Sequence, residues 1–269
     1  MIFAFLTAIL EKPLILFECH KLQNAFFAET KDTMKKDKMV LLKDFSSNDF
    51  FKTLPWLTQA LVTFLFIVYF IQITFLFIFG STWFRSSFAL TTEGVAHGKI
   101  WEFLTYAFLH DELEPLHLLT NAIAIYFLGN QLEKVLGHFR LALLFIGGAI
   151  AGGMGWYFFG GPIHEPGLIG ASGVVFSFLL AFAFCLQEIW VRSLTFHYDI
   201  QSNRFIFNPT FFLSIQVVVL IFVIFEAICL VFDIPTGSSH TAHLAGAIFG
   251  YLYVRLWPIK PLAHTKSSS

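Results

Sequence analysis

Between residues 56 and 257 the chain is a series of long apolar stretches parted by short polar breaks. Six stretches stand out, at roughly 56–79, 116–131, 141–159, 172–186, 210–232 and 241–257. Breaks fall at Gly80-Ser81, at Gly160-Gly161-Pro162, in the polar 187–208 loop and at Pro235-Thr236-Gly237. A helix needs about 20 apolar residues to cross a bilayer, and fewer if it starts inside it. The first and fifth stretches have full length, whereas the second, fourth and sixth are short. The pattern predicts an all-α, polytopic membrane protein: a bundle of six transmembrane helices over 56–257, flanked by an amino-terminal region, 1–55, and a short tail, 258–269.

Composition excludes a soluble globular domain. The chain is 57% hydrophobic and 13% charged, against about 25% charged in soluble domains. Orientation follows from where the positive residues lie. Eight Lys in the first 55 residues, Lys134, Arg140, Arg192, Arg204, Arg255, Lys260 and Lys266 put 15 of the 17 on one side. Arg85 and Lys99 fall on the other. Both termini are therefore expected in the cytoplasm and the 80–115 loop outside, with the cell (inner) membrane of a bacterium as the expected location.

Residues 1–10 are apolar but lack a charged start and a small-residue cleavage site, so no signal peptide is expected there. Residues 18–52 suit a small cytoplasmic domain or an interfacial helix. Seven acids among the eight Lys argue against a polybasic lipid-binding patch. Cys19, Cys185 and Cys229 make no disulfide framework. No zinc spacing, Gly-rich phosphate loop or basic nucleic-acid patch occurs, so no cofactor, metal or nucleic acid is expected.

The three short stretches each begin with a polar motif: His117-Leu-Leu-Thr-Asn121, Gly170-Ala171-Ser172-Gly173, and Ala242-His243 with Gly246 and Gly250. Polar side chains within a membrane mostly face the bundle interior or a wet cavity. His117, Ser172 and His243 each stand 14 residues from the inner end of their stretch (Gln131, Leu186 and Trp257). At about 1.5 Å per residue and a core of about 30 Å, all three lie about 9 Å below the outer edge. The 160–171 segment, with four Gly and two Pro, cannot be helical. It must dip in to meet Ser172, and non-helical backbone at that depth needs a protein-lined or water-filled hollow.

The residue types fit a hydrolytic centre. Ser172 lies at a helix start, where free N–H groups stabilise an oxyanion. Gly170 and Gly173 allow close approach; the same motif also suits a helix cap or packing contact. His243 can accept the Ser172 proton if the two helices touch. Gly246 and Gly250 make a close-packing face that His243 shares at i, i+3; an interhelical hydrogen bond beside that face is the alternative. His240 is a weaker base candidate one turn nearer the surface. His117 and Asn121, at i, i+4, present two donors on one side, for an oxyanion or for a polar helix contact. These three helices carry no acid near that depth, which favours a Ser-His dyad over a triad.

In order and spacing these residues resemble the rhomboid intramembrane serine proteases. The likeness covers roughly 56–257. It includes Gly98-Lys-Ile-Trp101-Glu-Phe-Leu-Thr105-Tyr-Ala-Phe-Leu-His110, His117-x-x-x-Asn121, Gly129 with Leu132-Glu133, Gly137 and Arg140, the Ser172 motif and the His243 motif. The resemblance implies cleavage of transmembrane protein substrates in or near their spans, within the lipid bilayer. It implies Ser172 as nucleophile, His243 as base, and the Ser172 N–H, His117 and Asn121 as the oxyanion hole. The fifth helix and the loop after it would form the substrate gate. Two departures stand out: Glu102 follows Trp101 where the family usually carries Arg, and the aromatic that packs on the base, often Tyr, is here Phe176, which keeps the ring and loses the hydroxyl. The first puts the loop's structural role in question.

Glu226 is the one acid well inside a stretch. It is expected to hydrogen-bond across the gate or reach cavity water, with a second catalytic carboxylate as the alternative. The competing functions are a catalytically inactive rhomboid-like scaffold or quality-control protein, which typically lacks the serine or histidine, and a small transporter, which calls for an internal repeat.

Overall fold

A computed structural model of the chain describes residues 55–160, 167–186, 190–199, 204–234 and 236–257. The expectations for 1–54, for the tail 258–269 and for 161–166 in the re-entrant segment lie outside the described residues. The chain divides into two compact units, and the one made of 55–189 and 214–269 holds every described helix.

The main helices of that unit are α1 (Trp56–Phe79), α5 (Pro115–Leu136), α6 (His138–Phe159), α7 (Ser172–Cys185), α8 (Ile215–Val231) and α9 (His240–Leu256). Their ends follow local chemistry. Gly80, at φ 59°, closes α1 in the left-handed conformation. Pro115 opens α5, where its missing N–H costs nothing. Ser214 and Ser239 cap α8 and α9 by accepting the N–H groups of Val217 and Ala242.

Two expectations need correction. Helix α5 runs five residues past its apolar stretch, to Leu136, so His117 is further from the end of its helix than Ser172 and His243 are from theirs. Within the 80–115 loop lie α2 (Trp83–Phe88), α3 (Thr92–Ala96), α4 (Glu102–Thr105) and a 3-10 turn over Tyr106–Phe108. The chain is also not wholly α-helical. The 187–208 loop and the start of the fifth stretch contain two paired strands, β1 (Trp190–Asp199) and β2 (Arg204–Ser214). That segment is rich in aromatic and β-branched residues, which favour strands, and its scattered polar residues hid them.

Two buried carboxylates organise the helical unit. Glu133 on α5 accepts Leu57 N–H at 3.0 Å, Thr58 N–H at 2.8 Å and Thr58 Oγ1 at 2.6 Å. It thereby caps the amino end of α1 from another helix, where negative charge suits the dipole. Glu102 answers the question its position raised. It is fully buried and accepts the Thr91 N–H at 3.0 Å and hydroxyl at 3.2 Å, with Lys99 Nζ 3.6 Å away. Gly94 passes so close that any Cβ there would strike the Glu102 carboxylate. Glu102 thus organises the loop through acceptor bonds, where Arg could only donate.

The tightest packing joins α7 to α9, followed by α6 to α9. Glycines set the distance. A Cβ on Gly246 would strike the Gly173 carbonyl oxygen, and one on Gly250 the Ser177 carbonyl oxygen. On α6, Gly155 faces the Thr241 carbonyl and Gly152 faces the Tyr106 hydroxyl. That hydroxyl donates to Ala149 O at 2.8 Å. The outer faces are apolar. Only 17% of the most apolar part of α1 is buried, at a mean hydropathy of 2.5, an exposed patch that water would not tolerate and lipid accommodates. Helices α1 and α6 are each long and apolar enough to cross a membrane, while α7 and α8 are shorter apolar helices.

Substituting Gly250 by Ala should destabilise the protein by about 1–3 kcal/mol, the usual range for overpacking, because the obstacle is backbone. Ile248→Ala on the exposed face of the same helix (60% exposed) should change little. Thermal unfolding of the two variants in detergent checks this.

Candidate active site

Ser172 is the first residue of α7, and His243 lies in the first turn of α9. The close approach of these helices brings their side chains together. His243 Nε2 lies 2.8 Å from Ser172 Oγ. His243 is 5% exposed, and the ring of Phe176, one turn after Ser172, stacks on its imidazole at 4.5 Å and 13°. The imidazole is thus fixed in its plane and aimed at the hydroxyl. His240 is not the residue against Ser172: its Nδ1 meets Glu226, and its Nε2 meets Thr236 Oγ1 at 3.0 Å and the Ile234 carbonyl at 3.3 Å.

His117 and Asn121 converge on the same place from α5. A Cβ on Gly170 would lie 2.6 Å from His117 Nε2 and 3.8 Å from Asn121 Nδ2, so both donors face the backbone two residues before Ser172. Gly170 has φ of +108°, a conformation that side-chain-bearing residues rarely adopt. Its N–H donates to Tyr106 O at 3.1 Å. Asn121 uses one N–H on the His117 carbonyl at 3.1 Å, which leaves a second available. The Ser172 N–H belongs to a first helical turn, whose N–H groups have no partner within the helix.

His243 has a neighbour that the three motif helices do not supply. Glu226 on α8 lies between two imidazoles, with Oε2 2.6 Å from His240 Nδ1 and 3.0 Å from His243 Nδ1. The first contact has hydrogen-bond geometry. The second is a close contact only: His243 Nδ1 is buried and makes no hydrogen bond. Glu226 therefore does bond between the fifth and sixth main helices, and it also touches His243. A depth count on α8 was the only sequence signal for this. The donor atoms of Glu226, His240 and His243 lie within 4.8 Å of one another and form a set that could hold a metal ion.

The second histidine of the loop packs beside the donors. His110 is fully buried, and its ring meets that of His117 edge-on at 5.1 Å. Gln72 on α1 holds it by both backbone groups, at 3.0 Å each. Burial above all, with the His117 ring adding to it, holds the His110 imidazole down to about 3.

The chain matches the Rhomboid domain over residues 97–258. It belongs to the rhomboid family. It is similar to the rhomboid protease GlpG of Yersinia pestis (strain Pestoides F) and of Yersinia pseudotuberculosis serotype O:3 (strain YPIII). Each is 29% identical over 167 residues, 62% of this chain and 51% of theirs. The rhomboid relative YdcA of Bacillus subtilis (strain 168) is 34% identical over 94 residues, 34% of this chain and 44% of its own. The chain thus spans about half the length of the curated relatives it matches. The rhomboid match takes in His117, Asn121, Ser172 and His243.

The His110 geometry gives a pH dependence. Between its ordinary value of 6.5 and about 3, folded His110 holds fewer protons than unfolded His110, so stability falls as pH falls through that interval. The slope from this group is at most about 1.4 kcal/mol per pH unit. The stability of His110→Gln, measured by unfolding between pH 7 and 4.5, should decline less steeply on acidification than that of wild type; parallel declines would refute the attribution.

Proposed function

We propose that this rhomboid is an intramembrane serine endopeptidase that hydrolyses peptide bonds in or beside the transmembrane segments of other membrane proteins. The observation that carries the reading is the 2.8 Å contact of Ser172 Oγ with His243 Nε2, beneath a stacked aromatic ring and beside two converging donors. The similarity to rhomboid proteases supports it. Six main helices with lipid-compatible outer faces fit a six-span bundle with both termini in the cytoplasm of a bacterial cell.

His243 Nε2 accepts the Ser172 proton as Oγ attacks the scissile carbonyl carbon. The oxyanion forms beside Gly170, within reach of the Ser172 N–H, His117 Nε2 and the free Asn121 N–H. The positive imidazolium is offset by the Glu226 carboxylate at 3.0 Å. His243 then passes the proton to the leaving amine, and water hydrolyses the acyl-enzyme by the same steps in reverse order. Glu226 belongs to α8, which packs mainly on α9 and carries many exposed apolar residues. This suits a gate through which a substrate helix reaches the site from lipid.

Ser172→Ala and His243→Ala should each abolish cleavage of a reporter transmembrane substrate and labelling by a fluorophosphonate probe. The double variant should be no worse than either, because nucleophile and base act as a unit. Substantial residual cleavage in Ser172→Ala would sink the assignment.

Removing one oxyanion donor typically lowers turnover by about 10²–10³. His117→Ala and Asn121→Ala should lower kcat toward that range and leave KM nearly unchanged, since the oxyanion exists only during reaction. Unchanged kcat with raised KM would make both residues substrate contacts instead.

A further inference from the structure

We propose that Glu226, His240 and His243 form a binding site for a zinc-like divalent cation, and that an ion there reversibly switches the protease off. The effect on proteolysis rests on the function proposed above; the binding site does not.

Two imidazoles and one carboxylate are the ligand types that zinc takes when it keeps a fourth position open. The three residues come from two helices, with His240 and His243 one turn apart on α9 and Glu226 opposite on α8, so no short sequence spacing announces them. Glu226 Oε2 stands 2.6 Å from His240 Nδ1 and 3.0 Å from His243 Nδ1, and all three donors fit within 4.8 Å. Bonds of about 2.1 Å in a tetrahedral site space the donors about 3.4 Å apart. The contacts to Glu226 need to open by less than 1 Å. His243 Nδ1 faces the cluster while buried and without a hydrogen bond.

The outer contacts of both rings suit metal binding. A metal-bound histidine usually donates its other N–H to a carbonyl or another acceptor, which fixes the ring. His240 Nε2 already sits 3.0 Å from Thr236 Oγ1 and 3.3 Å from the Ile234 carbonyl. His243 Nε2 sits 2.8 Å from Ser172 Oγ.

That last contact supplies the inhibition. For catalysis Nδ1 carries the proton, and the lone pair on Nε2 accepts from Ser172. A cation bound at Nδ1 takes the Nδ1 lone pair, so the ring proton moves from Nδ1 to Nε2. The ring then donates to Ser172 Oγ and has no lone pair left to accept from it. The proton that leaves Nδ1 is the one gained at Nε2, so the exchange balances. The ion also ties α8 to α9, which opposes opening of the gate. Donor softness favours Zn²⁺ and Cu²⁺ over Mg²⁺ and Ca²⁺.

The binding test uses full-length, tag-free Ser172→Ala protein in detergent, stripped with EDTA and titrated with zinc against a fluorescent zinc chelator. One zinc should bind, and adding His240→Gln or Glu226→Gln should each weaken it by about tenfold or more. Absence of stoichiometric binding, or affinity unchanged in both variants, would overturn the site. Where one variant does not fold, judged by thermal unfolding, the other decides. In the activity arm, wild-type cleavage should fall with added Zn²⁺, recover with EDTA and ignore Mg²⁺. The inhibition midpoint of His240→Gln, scaled to its own rate in EDTA, should rise by the same factor as its loss of affinity. Zinc bound by an active enzyme without loss of cleavage would overturn the switch. Zinc bound by a chain that cleaves nothing and labels with no probe would instead overturn the protease reading and leave the site standing.

Discussion

Everything in the helical unit depends on how closely α7 and α9 approach. Their backbones are separated by no more than the absence of Cβ atoms at Gly246 and Gly250. A larger separation would carry Ser172 and His243 beyond hydrogen-bond reach, since both stand in the first turn of their helices. The same approach puts Phe176 flat against the imidazole. Packing and chemistry are therefore one constraint here. Between membrane helices, where lipid is as apolar as the side chains, such close backbone contact supplies the attraction that burial supplies in water.

Carboxylates do a second kind of work. Glu133 caps a helix it does not belong to, Glu102 gathers a loop, and Glu226 bridges two imidazoles. Each is buried, and each faces donors. A buried acid without such partners would be expensive, so these positions hold their surroundings in one arrangement. For Glu226 that arrangement includes His243, which links the proposed base to the helix proposed as the gate.

Much of this was legible in the sequence, and the misses have physical reasons. Side-chain periodicity and glycine spacing predict which residues share a helix face, and His117 with Asn121, and His243 with Gly246 and Gly250, are faces of that kind. Apolar runs do not fix helix ends. Helix α5 continues to Leu136 because its last turn is itself packed: Leu132, Glu133 and Leu136 are buried, and Glu133 is held by its bonds to α1. Strands β1 and β2 were missed because a polar loop and a strand with mixed faces have similar composition. The Glu226 contact with His243 was weighed too lightly because a count along one helix gives depth but not direction. The buried roles of Glu133 and Gln72 come from partners far along the chain, and that of Glu102 from Thr91 across a loop, which helix or strand periodicity does not reveal.

The cap that Glu133 gives to α1 has a consequence for biogenesis. The bond from Thr58 N–H spans 75 residues, so the ribosome releases α1 long before its partner exists. Until α5 arrives, the first turn of α1 must keep its N–H groups in water at the membrane surface. Helix α1 has little buried area to hold it to the bundle. Its docking is thus scheduled by the synthesis of one distant carboxylate, and the bundle closes on its first helix late.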